Sequence, residues 1–302
     1  MKKTRTRGAI LFVTVVVVAF AAVAILIEVV GGSGTLSSSW TDAFEYHDKV
    51  GVVTLEGTIA KSDDTLKQLR KFRKKRSVKA IVIRINSPGG AVAPAQEIYR
   101  EIEKVRKKKP VVASMETVAA SAAYYIASNT DQIVCSQGTI TGSIGVIMFL
   151  PDVQKVIERI GVSMSVIKAG KFKDIGSMFR SPSEEERSLL ETFAADIHEQ
   201  FINDVAQGRK GKITKDQLRA VADGRFFTGE KAKEIGLVDT MGNFYDAVAI
   251  AAKLGGIKEE PELIYPKKKW DSVLDLFTEA ASAVLVKAVE QGRLTELLPA
   301  IR

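Results

Sequence analysis

Apolar positions along this chain fall in short runs separated by stretches of helical period. Lys49 to Leu55 reads as a strand that ends at Glu56-Gly57. Ala80 to Ile85 is a continuous apolar run broken only by Arg84, the pattern of a strand buried on both faces. Pro110–Ser114, Asp131–Cys135, Ile144–Phe149 and Ser163–Ile167 read as further strands. Between them, Asp63–Arg76 (with Asp63 as candidate N-cap), Ala93–Lys108, Ala120–Ser128 and Asp152–Ile160 read as helices. Strand and helix alternating through short links predict an α/β fold with a parallel sheet and right-handed crossovers.

After Ser181 the pattern changes to helix upon helix. Ser183-Glu184-Glu185-Glu186 has the form of a capping box and opens a long helix to about Gln207. Thr214–Ala222, Gly229–Ile235 and Gly242–Leu254 are shorter helices. Trp270–Gln291 is a last amphipathic one, whose apolar face needs its own domain, another subunit or a membrane surface as partner.

At the other end, Gly8 to Ile27 is a run of 20 residues with Thr14 as its only polar member. Such a helix spans ~30 Å, the thickness of a bilayer's hydrocarbon core. Lys2, Lys3, Arg5 and Arg7 precede it, so the positive-inside rule keeps the N-terminus cytoplasmic and puts the rest outside. The run is longer than a cleaved signal's apolar region, which favours a retained anchor. The predicted organisation is a basic tail (1–7), a transmembrane anchor (8–28), a flexible Gly-Ser linker (29–47), an α/β domain (48–255) and an amphipathic extension (256–302).

Composition changes this picture little. The 302 residues carry a formal net charge of +8, but the cations are concentrated beside the apolar run and at predicted helix ends. Lys67 to Arg76 is another dense cluster, and Lys107 to Lys109 a third. Solvated helix faces explain them, and nucleic-acid binding is not expected. A role facing the membrane or another subunit stays open. Cys135 is the only cysteine and lies in a predicted buried strand, so neither an intrachain disulfide nor a cysteine-based metal site is available. No metal or cofactor is expected.

The chemistry centres on Ser121, a hydroxyl among small residues where a predicted strand meets a predicted helix. A serine attacks only if a base takes its proton and donors receive the developing oxyanion. Asn86-Ser87-Pro88-Gly89-Gly90 supplies a turn with exposed backbone N–H groups at the mouth of a helix, and the N–H of Ala122 is a second donor. The usual imidazole is missing. His47 sits in the linker and His198 inside the long helix, and neither fits a triad. A lysine whose pKa is lowered by burial can replace it, but composition does not choose which one.

These segments resemble the short, single-repeat signal peptide peptidase A family of the ClpP/crotonase-like superfamily. The resemblance is carried by Asn86–Gly90, Ala119–Tyr125, Ile140–Val146 and Gly170–Ile175, and covers roughly Val50 to Val248. It implies a repeated ββα core and a membrane-anchored serine endopeptidase with a Ser–Lys dyad. It implies Ser121 as nucleophile, Lys173 in Gly170-x-x-Lys as general base, Ser143 as the hydroxyl that orients the lysine, and Gly90 with Ala122 as oxyanion donors. It implies a ring-shaped homo-oligomer, eight subunits being one candidate size, in which Lys173 can come from a neighbouring subunit. The implied substrates are released signal peptides or other membrane-associated peptides outside the cytoplasm. Ala122 and Ala123 replace the family's usual glycines, which keeps the N–H donor and adds Cβ atoms beside the site.

Three alternatives are weighed against this. One is a stomatin-partner protease of the NfeD-like group, which usually carries further transmembrane helices. Another is a catalytically silent, ring-forming scaffold. The third is a crotonase-type acyl-CoA enzyme, which an extracytoplasmic location disfavours.

Overall fold

The computed structural model describes residues 48–266. The expected anchor, the linker, His47 and the helix from Trp270 to Gln291 lie outside these residues. Among the described residues no helix is long and apolar enough to cross a membrane.

The centre is a parallel set of long strands. β1 (Lys49–Glu56), β2 (Val78–Ser87) and β3 (Val111–Ala120) lie side by side with β2 in the middle. α1 (Asp63–Lys74) and α2 (Val92–Arg106) make the crossovers. β2 has the continuous apolar run because both of its faces are covered. Ile81, Ile83 and Ile85 pack with Leu69, Phe72, Ile98 and Ile102 of the crossover helices. Ala80 and Val82, on the opposite face, pack with Ala247, Val248 and Ala251 of a C-terminal helix. Side chains alternate between faces along a strand, so one run feeds two cores. Each fully buried Val or Ile contributes about 1.5–3 kcal/mol. Arg84 interrupts the run without being stranded: it donates to Ser114 Oγ, pairs with Glu116 and lies over the Phe244 ring.

β3 changes neighbours halfway along. Val112–Met115 pair with β4 (Gln132–Cys135), and Val118–Ala120 pair with β5 (Ile140–Gly142). An irregularity in the β2–β3 register, where Ile85 faces Met115 but Ser87 faces Ala119, marks the change. Asn86 Oδ1 accepts from the Val118 N–H at this point. β4 continues to β7 (Thr240–Met241), and β5 to β6 (Phe226–Thr228), the one antiparallel pairing among the described residues. β8 (Glu262–Ile264) extends the sheet beyond β1. The sheet is therefore mixed but largely parallel, and the α/β expectation stands.

The later helices start where the polar signals put them. α3 (Ala122–Ser128) follows β3 directly, and α4 (Gln154–Arg159) is a single short turn region. Ser183 and Glu186 close the predicted capping box of α5 (Glu184–Gly208). Thr214 caps α6 (Lys215–Arg219), Thr228 caps α7 (Gly229–Glu234), and Asn243 with Asp246 caps α8 (Phe244–Leu254). Three local expectations need correction. Ser62, not Asp63, is the N-cap of α1. Neither 144–149 nor 163–167 forms a strand, because a strand needs a ladder partner and these segments have none among the described residues.

Candidate active site

Ser121 is the single residue between β3 and α3. Its φ of 53° and ψ of −124° are a conformation that L-residues avoid. Holding a side chain there costs about 1–3 kcal/mol, and the surroundings enforce it. The Ser121 N–H donates to the Gly142 carbonyl (2.9 Å), and its carbonyl accepts from the Tyr125 N–H (2.9 Å). The backbone is tied on both sides while the hydroxyl, partly exposed, has no hydrogen-bond partner among the described residues.

The glycine turn after β2 packs onto this join. A Cβ on Gly89 would lie 2.8 Å from Ser121 Cβ and 2.9 Å from the Ala120 carbonyl oxygen. A Cβ on Gly90 would collide with the Ile59 carbonyl oxygen at 2.3 Å. Ile59 clamps the turn, donating to the Gly89 carbonyl (2.9 Å) and accepting from Ala91 (2.8 Å). Ser87 Oγ accepts from the Gly89 N–H (3.1 Å). The N–H of Gly90 is left without a partner among the described residues. So is that of Ala122, the first residue of α3, as helix geometry requires of a first-turn donor. Two unused donors thus flank one unused hydroxyl.

Ser143 also has a positive φ (51°), and its N–H donates to the Arg225 carbonyl (2.9 Å). It lines a wide groove of about 860 Å³ together with Ser121, Gly90, Val118, Phe226 and Phe227. On the other side of Ser121 is a smaller cavity of about 110 Å³, walled by Val92, Ala95, Tyr125, Ile197 and Phe201. Tyr125 is fixed at its rear: its phenol donates to Asp204, whose carboxylate also accepts from Arg100 at 2.7 Å. Burial, and then the Asp204 charge, push the Tyr125 phenol far above its ordinary pKa, so it stays a neutral donor. Ile59, Ile197, Phe201 and Asp204 were not marked by sequence reasoning. They reach the site from distant segments and carry no local signature.

Lys173 is not brought to Ser121 within this chain. It lines neither cavity, and its side chain is exposed. Its neighbours are committed elsewhere: Lys168 pairs with Asp174 and Lys171 with Glu185. The ammonium of Lys173 has no ion pair or hydrogen bond among the described residues. It lies in an arm, residues 147–180, with large apolar side chains in solvent. Ile147 is 77 % exposed, Phe149 85 % and Ile167 100 %. The base of the arm is clipped by Arg180, which bridges Asp174 (2.9 Å) and Glu186 (2.7 Å). His198 lines neither cavity, and its Nε2 is buried without a partner among the described residues. Burial pushes the Cys135 thiol up to about 11.

Residues 103–258 match the family model described as Peptidase family S49, and residues 27–134 match the Clp protease model. The chain belongs to peptidase family S49. A Synechocystis protein named as a protease is 39% identical over 220 residues, which are 72% of this chain and 78% of that protein. An Enterococcus faecium protein named as a signal peptide peptidase is 31% identical over 246 residues, 77% of this chain and 69% of its own length. A chloroplastic serine protease of Arabidopsis thaliana is 33% identical over 251 residues, 82% of this chain but 37% of that protein. The family assignment makes the chain a peptidase.

Proposed function

We propose that this S49 peptidase is a membrane-anchored serine endopeptidase working through a Ser121–Lys173 dyad. The observation that carries this is the hydroxyl of Ser121, held in a strained conformation between the unused N–H groups of Gly90 and Ala122. In the reaction, Ser121 Oγ attacks the scissile carbonyl while the neutral amine of Lys173 takes its proton. The tetrahedral oxygen is received by the N–H groups of Gly90 and Ala122. The Lys173 ammonium then protonates the departing amine, leaving an acyl-enzyme on Ser121. Water, deprotonated by the same amine, releases the acid. Ser143 sits in the same groove as Ser121, where its hydroxyl is suited to orient the ammonium.

Lys173 is supplied by an adjoining copy of the chain. An uncommitted ammonium in an arm of solvent-exposed apolar residues supports this, since packing that arm on a neighbour would both deliver the amine and desolvate it. The wide groove takes an extended peptide, and the apolar cavity beside Ser121 suits an aliphatic side chain. The substrates are released signal peptides or similar apolar peptides outside the cytoplasm, and the anchor is the run from Gly8 to Ile27.

A serine-reactive phosphonate, followed by peptide mapping, tests this directly. Modification at Ser121 that is lost in Lys173→Ala is expected; modification elsewhere overturns the assignment. Mixing Ser121→Ala with Lys173→Ala protein then tests the supply in trans. In a ring of heterologous contacts about a quarter of the sites regain both groups. No regain on mixing, with subunit exchange verified, puts the base inside one chain.

A further inference from the structure

Two basic runs that are far apart in sequence meet at one end of the sheet. α1 and α2 both finish there. Lys109, just past α2, donates to the Phe72 carbonyl (2.6 Å) and the Lys75 carbonyl (2.5 Å) at the end of α1. The first strand begins at the same place: the Lys49 N–H donates to the Ser77 carbonyl (2.8 Å), and Asp48 pairs with Lys79 (3.3 Å). Lys71, Lys74, Arg76, Lys107 and Lys108 are exposed here and have no ion pair among the described residues. The acids nearby are largely committed. Glu101 is surrounded by Arg70, Arg73 and Lys104, and Asp131 is bound by Arg106. Glu103, half-buried on α2, and Glu259 and Glu260, exposed just before β8 where it starts beside Lys49, are left to oppose the five cations.

We propose that this basic end of the sheet rests on anionic lipid headgroups. Two observations select that partner over a soluble anion. The charges are spread over the exposed ends of two helices and line none of the cavities described above. And the described chain starts at this same end, with the apolar run Gly8–Ile27 a short way upstream. This rests on the anchor reading above. It has a mechanical consequence for the site. Ser121 lies at the other end of β3, a strand of 10 residues, which puts the cleft about 33 Å from the headgroups. A peptide must leave the bilayer to be cut, so the enzyme selects released peptides over embedded ones.

The test uses full-length protein in vesicles of phosphatidylcholine alone or with phosphatidylglycerol. Lysine acetylation is followed by peptide mapping. A cation close to an anionic surface gains an attraction equal to about a fivefold change in occupancy. Lys71, Lys74, Lys107 and Lys108 are therefore expected to acetylate severalfold more slowly with phosphatidylglycerol, while Lys233 on α7 is unaffected. High salt abolishes the difference. Equal rates in the two vesicle types overturn the proposal. So does protection by a single-stranded oligonucleotide without protection by vesicles, which would indicate nucleic acid. The anchor is read separately, by flotation with phosphatidylcholine vesicles at high salt. If the protein does not float, the anchor reading falls, and the same acetylation with added anionic vesicles still decides the headgroup contact.

Discussion

The segments around Ser121 and around Lys173 are both rich in apolar residues, and they use them in opposite ways. Ala119, Ala123 and Tyr124, beside the serine, are fully buried within the chain. Phe149 and Ile167, in the arm that carries the lysine, are 85 % and 100 % exposed. The first segment has closed on itself and fixes a backbone conformation to within a hydrogen bond on either side. The second holds apolar surface worth about 1.5–3 kcal/mol per large side chain if it were covered. One half of the proposed dyad is thus built by folding, and the other is left for association. Under the proposed dyad, a catalytic group absent from the monomer's cleft is supplied by association.

The sharpest way to break this comparison is to remove each half in turn. Ser121→Ala should lower kcat/KM for an apolar peptide by at least about 10⁴-fold, and Lys173→Ala by a similar factor. Neither should change thermal stability by more than about 0.5 kcal/mol, because the lysine is exposed and the serine hydroxyl unbonded. Steady-state hydrolysis beside a melting curve checks both. If Lys173→Ala retains activity, the arm has no chemical role and the comparison loses its point.

The next effect separates covered from uncovered apolar residues. Ile83→Ala should cost about 2–4 kcal/mol of folding stability, as expected for a fully buried core residue. Phe149→Glu and Ile167→Glu should leave the melting of the isolated chain almost unchanged. They should instead shift sedimentation toward the monomer and lower activity in proportion. A loss of stability equal to that of Ile83→Ala would show that the arm packs on its own chain.

The same contrast explains which features the sequence made legible. The join at Ser121 and the glycine turn depend on residues within a few positions of each other, so small side chains and glycines mark them. The choice between Gly89 and Gly90 was not local, since it depends on Ser87 taking one N–H and Ile59 pinning the turn. The runs 144–149 and 163–167 looked like strands because an apolar, β-branched run reads the same whether or not a ladder partner exists in the chain. β6, β7 and β8 span two or three residues each, too few for any period. Spacing alone could not single out Lys173 among Lys168, Lys171 and Lys173. The family resemblance named it, and the ion pairs of the other two are consistent with that choice.

A smaller effect concerns how the arm is held. Arg180 keeps the Glu186 carboxyl down to about 2, with the Ser183 N–H adding to the shift, and Arg180 with Lys168 holds Asp174 well below the usual carboxylate range. A carboxylate with a depressed folded-state pKa gives stability that is complete above its unfolded value and lost as pH falls through the folded one. The clip should therefore hold at pH 5 and above, and release between about 4.5 and 2. Limited proteolysis with an acid-active protease should show cleavage between 170 and 183 rising over that window. Arg180→Ala should give the same cleavage at neutral pH and a severalfold loss of activity. Unchanged cleavage in that variant would mean that the arm base is held by something other than this ion pair.

The smallest effect tests the closed side of the comparison by its inertness. Cys135 lies under α7 with no exposed surface, and burial raises its thiol to about 11. At pH 8 the reactive thiolate is then a fraction on the order of 10⁻³, against about a quarter for an ordinary thiol of pKa 8.5. Burial of the sulfur slows reagent access further. Modification by a thiol reagent should accordingly be more than about 10²-fold slower than in denaturant. Its rate should follow unfolding and ignore the state of the arm: Phe149→Glu should leave it unchanged, and Ile83→Ala should raise it. If the arm variant alone accelerated Cys135 labelling, the two regions would be mechanically coupled, and the division between a self-closed serine half and an open lysine half could not stand.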